Sequence, residues 1–166
     1  MNSQLGILNQ QPTKTYTVEE AKRKLEAYCA YQDRCHKEVR EKLIQMRMIP
    51  DAVDVIIYHL LQHKFLDEER FARSFARGKF RIKSWGKLRI VRELKFRDIS
   101  AYNIKTALKE IDEEEYIKTI YSITTNRNQV ISEPNTHKRK KKLVDFLTRK
   151  GFESELIFKT VNEVVT

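Results

Sequence analysis

Glycine and proline are scarce in this chain of 166 residues, at four and three. An all-β protein of this size needs many more turn formers, so the shortage argues against strands joined by tight turns. No apolar run reaches the about 18 residues of a membrane-crossing helix, so no membrane span or membrane partner is expected. Met1 to Tyr16 is polar and rich in Gln and Asn, without the apolar centre of a secretion signal. The expectation is a cytoplasmic protein with a flexible tail over residues 1–16. Cysteine is limited to Cys29 and Cys35. In that compartment both are expected as thiols, and without a Cys-x-x-Cys pair they do not make an ordinary zinc site. His59 and His63 stand four apart, a spacing that metal sites use, but no third ligand follows and they are read as surface histidines.

Catalytic patterns are missing as well. Gly78-Lys79 and Gly86-Lys87 lack both the upstream Gly and the following Ser or Thr of a phosphate loop. There is no nucleophile elbow and no paired His-Glu zinc motif. The acids Glu68-Glu69 and Asp112 to Glu115 fall at helix starts, where the helix dipole accounts for them. The chain is therefore read as a non-enzyme that uses no cofactor.

What is present is helical periodicity. Thr17-Val18-Glu19-Glu20 has the form of a capping box, and Ala21, Leu25 and Tyr28 continue a helix to about Tyr31. A second helix is expected from His36 to Arg47 with Val39, Leu43 and Met46 inward. Pro50 suits the first turn of a third, whose core face is Val53, Ile56, Ile57, Leu60 and Leu61. The phrase then recurs. Ile90 and Leu94 lead to Ile99 and a helix capped by Ser100, with Ile104 and Leu108 inward; Leu143 and Leu147 lead to Gly151-Phe152, then Leu156, Ile157 and Val161. Leu43, Leu94 and Leu147 stand 51 and 53 residues apart. Those intervals predict an all-α, elongated array of three tandem three-helix repeats, helix-turn-helix-like, over 17–66, 67–111 and 112–166. Neighbouring repeats should share interfaces. In the third, a helix from Tyr116 to Thr125 would be followed by a polar connection over 126–135.

The charge is not spread evenly. From Arg70 to Arg97 there are eleven Lys or Arg and one acid, Glu93, so this segment carries the full formal +10 and the remainder balances. Such concentration predicts an anionic partner. Asp67 reads as a helix N-cap. Phe71, Phe75, Gly78 and Ile82 then make an apolar stripe, and Arg70, Arg73, Arg77 and Arg81 one nearly opposite, facing out. Ser84 is read as the cap of the next helix, with Leu88, Ile90, Val91 and Leu94 toward the core and Trp85, Arg89, Arg92 and Phe96 on the other side. Trp85 and Phe96 are read as packing on a neighbouring helix. The arginines, with Lys83 and Lys87, are read as functional, because an excess of one sign repels itself unless something neutralises it. A second basic run, His137 to Lys142, includes Lys138 and Arg139. It is either a solvated helix face or a second contact to nucleic acid.

Three segments together resemble the RecX family: Phe65-Leu66-Asp67-Glu68-Glu69-Arg70-Phe71-Ala72, the later Gly86-x-x-Arg89-Ile90-x-x-Glu93-Leu94, and the earlier Arg34-x-x-x-Glu38-Val39-Arg40-x-Lys42-Leu43. The resemblance covers about Ala21 to Val164. The Lys-Gly usual in that family before Ile99 reads Arg97-Asp98 here, and the third repeat matches weakly. The resemblance implies a small cytosolic regulator that binds the RecA filament on single-stranded DNA, generally in its groove. It implies limits on filament growth, ATP hydrolysis and strand exchange, with some DNA binding besides. The motif does not say which residues touch DNA. The charge reading assigns Arg70, Arg73, Arg77, Arg81, Lys83, Lys87, Arg89, Arg92, Lys138 and Arg139 to DNA or RecA, in a monomer. The alternative is a helix-turn-helix regulator of duplex DNA, which would show sequence preference and usually dimerise. A helical interaction module without nucleic acid leaves the localised charge unexplained.

Overall fold

The computed structural model describes residues 14–166, and among them nine helices and no strand. The first repeat comprises α1 (Val18–Tyr31), α2 (His36–Gln45) and α3 (Pro50–Gln62). The second comprises α4 (Glu68–Lys83), α5 (Lys87–Phe96) and α6 (Ala101–Leu108). The third comprises α7 (Glu113–Val130), α8 (Thr136–Lys150) and α9 (Ser154–Val164). None is long and apolar enough to cross a membrane. Residues 1–13, most of the expected flexible tail, lie outside the described residues. Tyr16 packs against the first core.

The 51- and 53-residue intervals reflect one structural joint used three times. After the middle helix of each repeat the chain takes one left-handed residue: Arg47 (φ 59°), Asp98 (φ 58°) and Gly151 (φ 88°). The next N–H then donates back to the leucine carbonyl of the helix just ended: Met48 to Leu43 at 3.1 Å, Ile99 to Leu94 at 3.1 Å, Phe152 to Leu147 at 3.3 Å. This closes the helix and turns the chain, within two residues, to the cap of the next. Capping follows the sequence closely. Thr17 and Glu20 bond reciprocally, Asp67 accepts from Arg70 N–H, Ser100 from Asn103 N–H and Asp112 from Glu115 N–H.

The first repeat has its own core, built from Leu25, Val39, Leu43, Ile56, Leu60 and their neighbours. The second and third share a continuous one, from Phe71 and Phe80 through Ile90 and Leu94 to Ile120, Leu147, Phe152 and Val161. Phe80, Tyr116 and Phe152 stack along it with centroids 5.7 and 5.2 Å apart. Cys35 reaches from the first repeat into this second core. Both cysteines are buried thiols; burial pushes Cys29 up to about 11 and raises Cys35.

Five sequence expectations are corrected here. The buried face of α4 is Phe71, Ala72, Ala76 and Phe80, not the stripe ending at Gly78 and Ile82; Ile82 is 78% exposed. Fully buried Ala72 and Ala76, with Ala107 of α6, let α4 and α6 approach closely, so small residues define this interface. Ser84 does not cap α5. It ends α4 in the left-handed conformation (φ 50°), and Gly86 is the N-cap of α5. Leu88 and Phe96 are exposed, while Trp85 does pack against the core. His59 is half-buried, its Nε2 2.6 Å from Glu26, tying α3 to α1. Finally, α7 continues to Val130, so the polar connection shortens to 131–135; Thr124 sits fully buried in it and bonds the Ile120 carbonyl.

Candidate nucleic-acid interface

The arginine stripe of α4 is exposed but not free. Arg70 sits where the first and second repeats meet. Its Nε donates to Asp33 at 2.8 Å, and its terminal nitrogens donate to the carbonyls of Lys64 and Phe65 at 3.0 and 3.1 Å. Arg73 bonds Glu69 at 2.9 Å and Glu110 at 2.7 Å, and Arg77 takes the other Glu110 oxygen at 2.9 Å. Arg81 faces Glu115 at 3.9 Å, Lys87 pairs with Glu113, and Arg97 with Glu93 at 2.9 Å. Every partner but Glu93 lies outside the basic segment. Six of its eleven cations are thus neutralised within the chain, and all but Arg97 tie α4 or α5 to another part of the chain.

These pairs set an acid limit on stability. The Glu110 carboxyl is held below its ordinary 4.5 by the Arg73 hydrogen bond, with burial opposing and Arg77 adding to it. For Asp33 burial pushes upward, but the bonds from Arg70 and Ser74 outweigh it and leave the group below 3.8. A carboxyl depressed in the folded state contributes stability above its unfolded value and loses it as pH falls through the folded one. The denaturation midpoint should therefore hold from neutrality to about pH 4.5 and drop below it. Glu110→Gln should be less stable at neutrality and should lose less on acidification. Parallel acid slopes for the two proteins would show that the pairing contributes nothing.

The remaining five cations of the segment, Lys79, Lys83, Arg89, Arg92 and Lys95, meet no carboxylate among the described residues. Three of them gather around Trp85. The Arg89 guanidinium lies over its ring at 4.0 Å, Lys79 lies over it at 5.1 Å, and Lys83 closes the end of α4 just before it. The third repeat adds to this group. Lys150 Nζ donates to the Lys83 carbonyl at 2.7 Å, and Arg89 donates to the Arg149 carbonyl at 3.1 Å. Burial lowers the Lys150 pKa first, and the nearby charges of Arg89 and Lys83 lower it further. Arg92 extends it one turn along the exposed side of α5.

The cluster is placed by a close backbone approach between the start of α5 and the end of α8. Gly86 N–H donates to the Lys150 carbonyl at 2.8 Å and Leu88 N–H to the Gly151 carbonyl at 3.0 Å. A Cβ on Gly86 would overlap the Gly151 carbonyl, and one on Gly151 would overlap Arg89. Tyr116, fully buried with its pKa raised by that burial, accepts from Lys87 N–H at 2.9 Å and donates to Glu153 at 2.7 Å, bracing the same joint.

The second basic run does not join this group. Lys138 and Lys150 lie near opposite ends of α8, about 18 Å apart at 1.5 Å per residue. Arg139 bonds the Glu133 carbonyl at 2.8 Å and Lys142 faces Glu133 at 3.4 Å, while Lys138 meets no acid among the described residues. Of the ten residues assigned from sequence, the structure leaves Lys83, Arg89 and Arg92 without a carboxylate among the described residues and brings Lys83 and Arg89 together beside Lys150. It ties Arg70, Arg73, Arg77, Arg81 and Lys87 to acids and places Lys138 and Arg139 apart. Lys150 escaped the sequence reading, since only its 67-residue contact to Lys83 reveals it.

Two sequence patterns match the chain: the second three-helix domain of RecX over residues 67–108, and the third three-helix domain over 113–161. The chain belongs to the RecX family. The regulatory protein RecX of Oceanobacillus iheyensis is 26% identical over 164 residues, covering 98% of this chain and 58% of that protein. That of Lactobacillus johnsonii is 28% identical over 130 residues, covering 78% of this chain and 48% of that protein. The chain thus spans about half the length of these relatives, although it covers 89% of the Prosthecochloris aestuarii RecX at 25% identity. The crystal structure of RecX from Lactobacillus salivarius superposes with a TM-score of 0.76 at 20% identity, covering 89% of this chain and 96% of that one. That likeness establishes the RecX fold of tandem three-helix repeats. Within it, Asp98 takes the left-handed position before Ile99 (φ 58°), which Asp tolerates better than most residues.

Proposed function

We propose that this protein is a non-catalytic regulator of RecA. It binds the RecA filament on single-stranded DNA as a monomer in the cytoplasm and limits filament growth, ATP hydrolysis and strand exchange. The three units 17–66, 67–111 and 112–166 lie in series along that filament. Membership of a family whose relatives are named regulatory proteins supports the assignment. The observation that carries it is the cluster Lys83, Arg89 and Lys150, with Arg92 one turn further along α5, whose charge no carboxylate among the described residues offsets. Uncompensated like charge held at a rigid joint is a cost to the fold that a phosphate backbone removes. The paired arginines of α4 then hold the repeats at fixed angles and are not the anchor.

RecA-driven ATP turnover on single strands, measured with increasing amounts of the protein, tests the proposal. Turnover should fall with dose, and the fall should weaken as salt rises. Turnover unaltered at several-fold excess over RecA would refute a role on the filament.

A further inference from the structure

A groove of about 280 Å³ runs beside the basic cluster, between the Gln32-Asp33 turn after α1 and the exposed shoulder of α4. Its floor is Phe75 and Gly78, its lip is Ile82, and Lys79 and Lys83 stand at its mouth. Ile82 is 78% exposed, an apolar side chain that the fold leaves uncovered. Gly78 lies inside α4 with ordinary helical backbone, and a Cβ there would meet nothing within 4 Å. Neither backbone geometry nor packing therefore requires glycine, yet glycine weakens a helix interior. What it does is keep the groove floor open. The one acid in the wall, Asp33, is already taken by Arg70 at 2.8 Å and Ser74 at 2.8 Å, so the free charge at the mouth is positive.

An occupant of this groove must present a flat apolar body next to an anion. Lys79 lies over the Phe75 and Trp85 rings at 5.3 and 5.1 Å, and Lys83 adjoins Lys150 and Arg89. We propose that the groove seats one unpaired base of a single strand, against Phe75 and Gly78 and under Ile82, with the adjacent phosphate on Lys83 and Lys150. A base paired and stacked in a duplex cannot enter, so the seat favours single strands over duplex. This inference rests on the reading that the basic cluster binds nucleic acid.

The test uses the full chain with Gly78→Leu, which fills the floor with a better helix former in open space. Ile82→Ser, at an exposed position, is the second variant. Binding is read by fluorescence anisotropy with a labelled oligo-dT, a duplex of equal length and inorganic polyphosphate. Gly78→Leu should keep or raise the melting temperature and lose about tenfold in oligo-dT affinity, the worth of one stacked base. Ile82→Ser should lose less. Both should bind duplex and polyphosphate as the wild type does. Unchanged oligo-dT affinity in both variants overturns the seat while leaving the cluster as anchor. Failure of the wild type to bind any of the three overturns the cluster and the seat together. If Gly78→Leu keeps oligo-dT affinity but loses its effect on RecA, the groove takes a protein side chain and the base seat is wrong.

Discussion

Gly86→Ala should cost about 3–5 kcal/mol and lower the stability of the second and third repeats together. The backbone dihedrals do not cause this, because Gly86 has an ordinary φ of −73°. The cause is contact. A methyl there would overlap the Gly151 carbonyl and the Phe152 nitrogen, which are backbone atoms that cannot swing aside. To make room, the bonds from Gly86 N–H to Lys150 and from Leu88 N–H to Gly151 must lengthen. They bridge the start of α5 to the end of α8, and the core on both sides is continuous. Gly78→Ala provides the contrast, with open space at its Cβ and an expected gain of about 0.5–1 kcal/mol. Chemical denaturation of the two variants reads both signs. A loss below about 1 kcal/mol for Gly86→Ala would mean the joint adapts, and the rigid placement of Lys83, Arg89 and Lys150 would go with it.

Charge reversal should separate the two classes of basic residue. Lys83→Glu with Arg92→Glu removes unpaired cations from exposed positions. Single-strand affinity should fall about 100-fold at low salt, with helicity and melting temperature nearly unchanged. Arg73→Glu with Arg77→Glu faces two new carboxylates with Glu69 and Glu110, in place of bonds of 2.7 to 2.9 Å. Here the first effect should be on stability, about 2–4 kcal/mol, as α4 and α6 are pushed apart. Equal melting temperatures for the two double variants would show that the geometric distinction has no energetic counterpart.

Local features of the fold were legible in the sequence, and long-range ones were not. Thr17, Asp67, Ser100 and Asp112 announce their helices because a cap acts within three residues. The leucines at 43, 94 and 147 mark the repeat because each accepts the bond that closes its helix. The error at Ile82 arose from reading large apolar residues as core, where a close helix crossing required Ala72 and Ala76. The stripe of arginines was visible, but its neutralisation was not. Glu110 lies 37 and 33 residues from Arg73 and Arg77, and Asp33 lies 37 from Arg70. Counting charge along the chain therefore finds where the basic residues lie in sequence and overstates how much of that charge is free.

The most direct test of the account is the slope of log affinity for a single strand against log salt. It should be measured for the wild type and two neutralised variants, Lys83→Gln with Arg92→Gln and Arg73→Gln with Arg77→Gln. Each phosphate contact on a single strand contributes about 0.7 to that slope. The wild type should fall at about −3 to −4, the Lys83/Arg92 variant should be shallower by about 1.4, and the Arg73/Arg77 variant should match the wild type. A shallower slope for the Arg73/Arg77 variant with none for Lys83/Arg92 would place the anchor on the paired stripe and contradict the account.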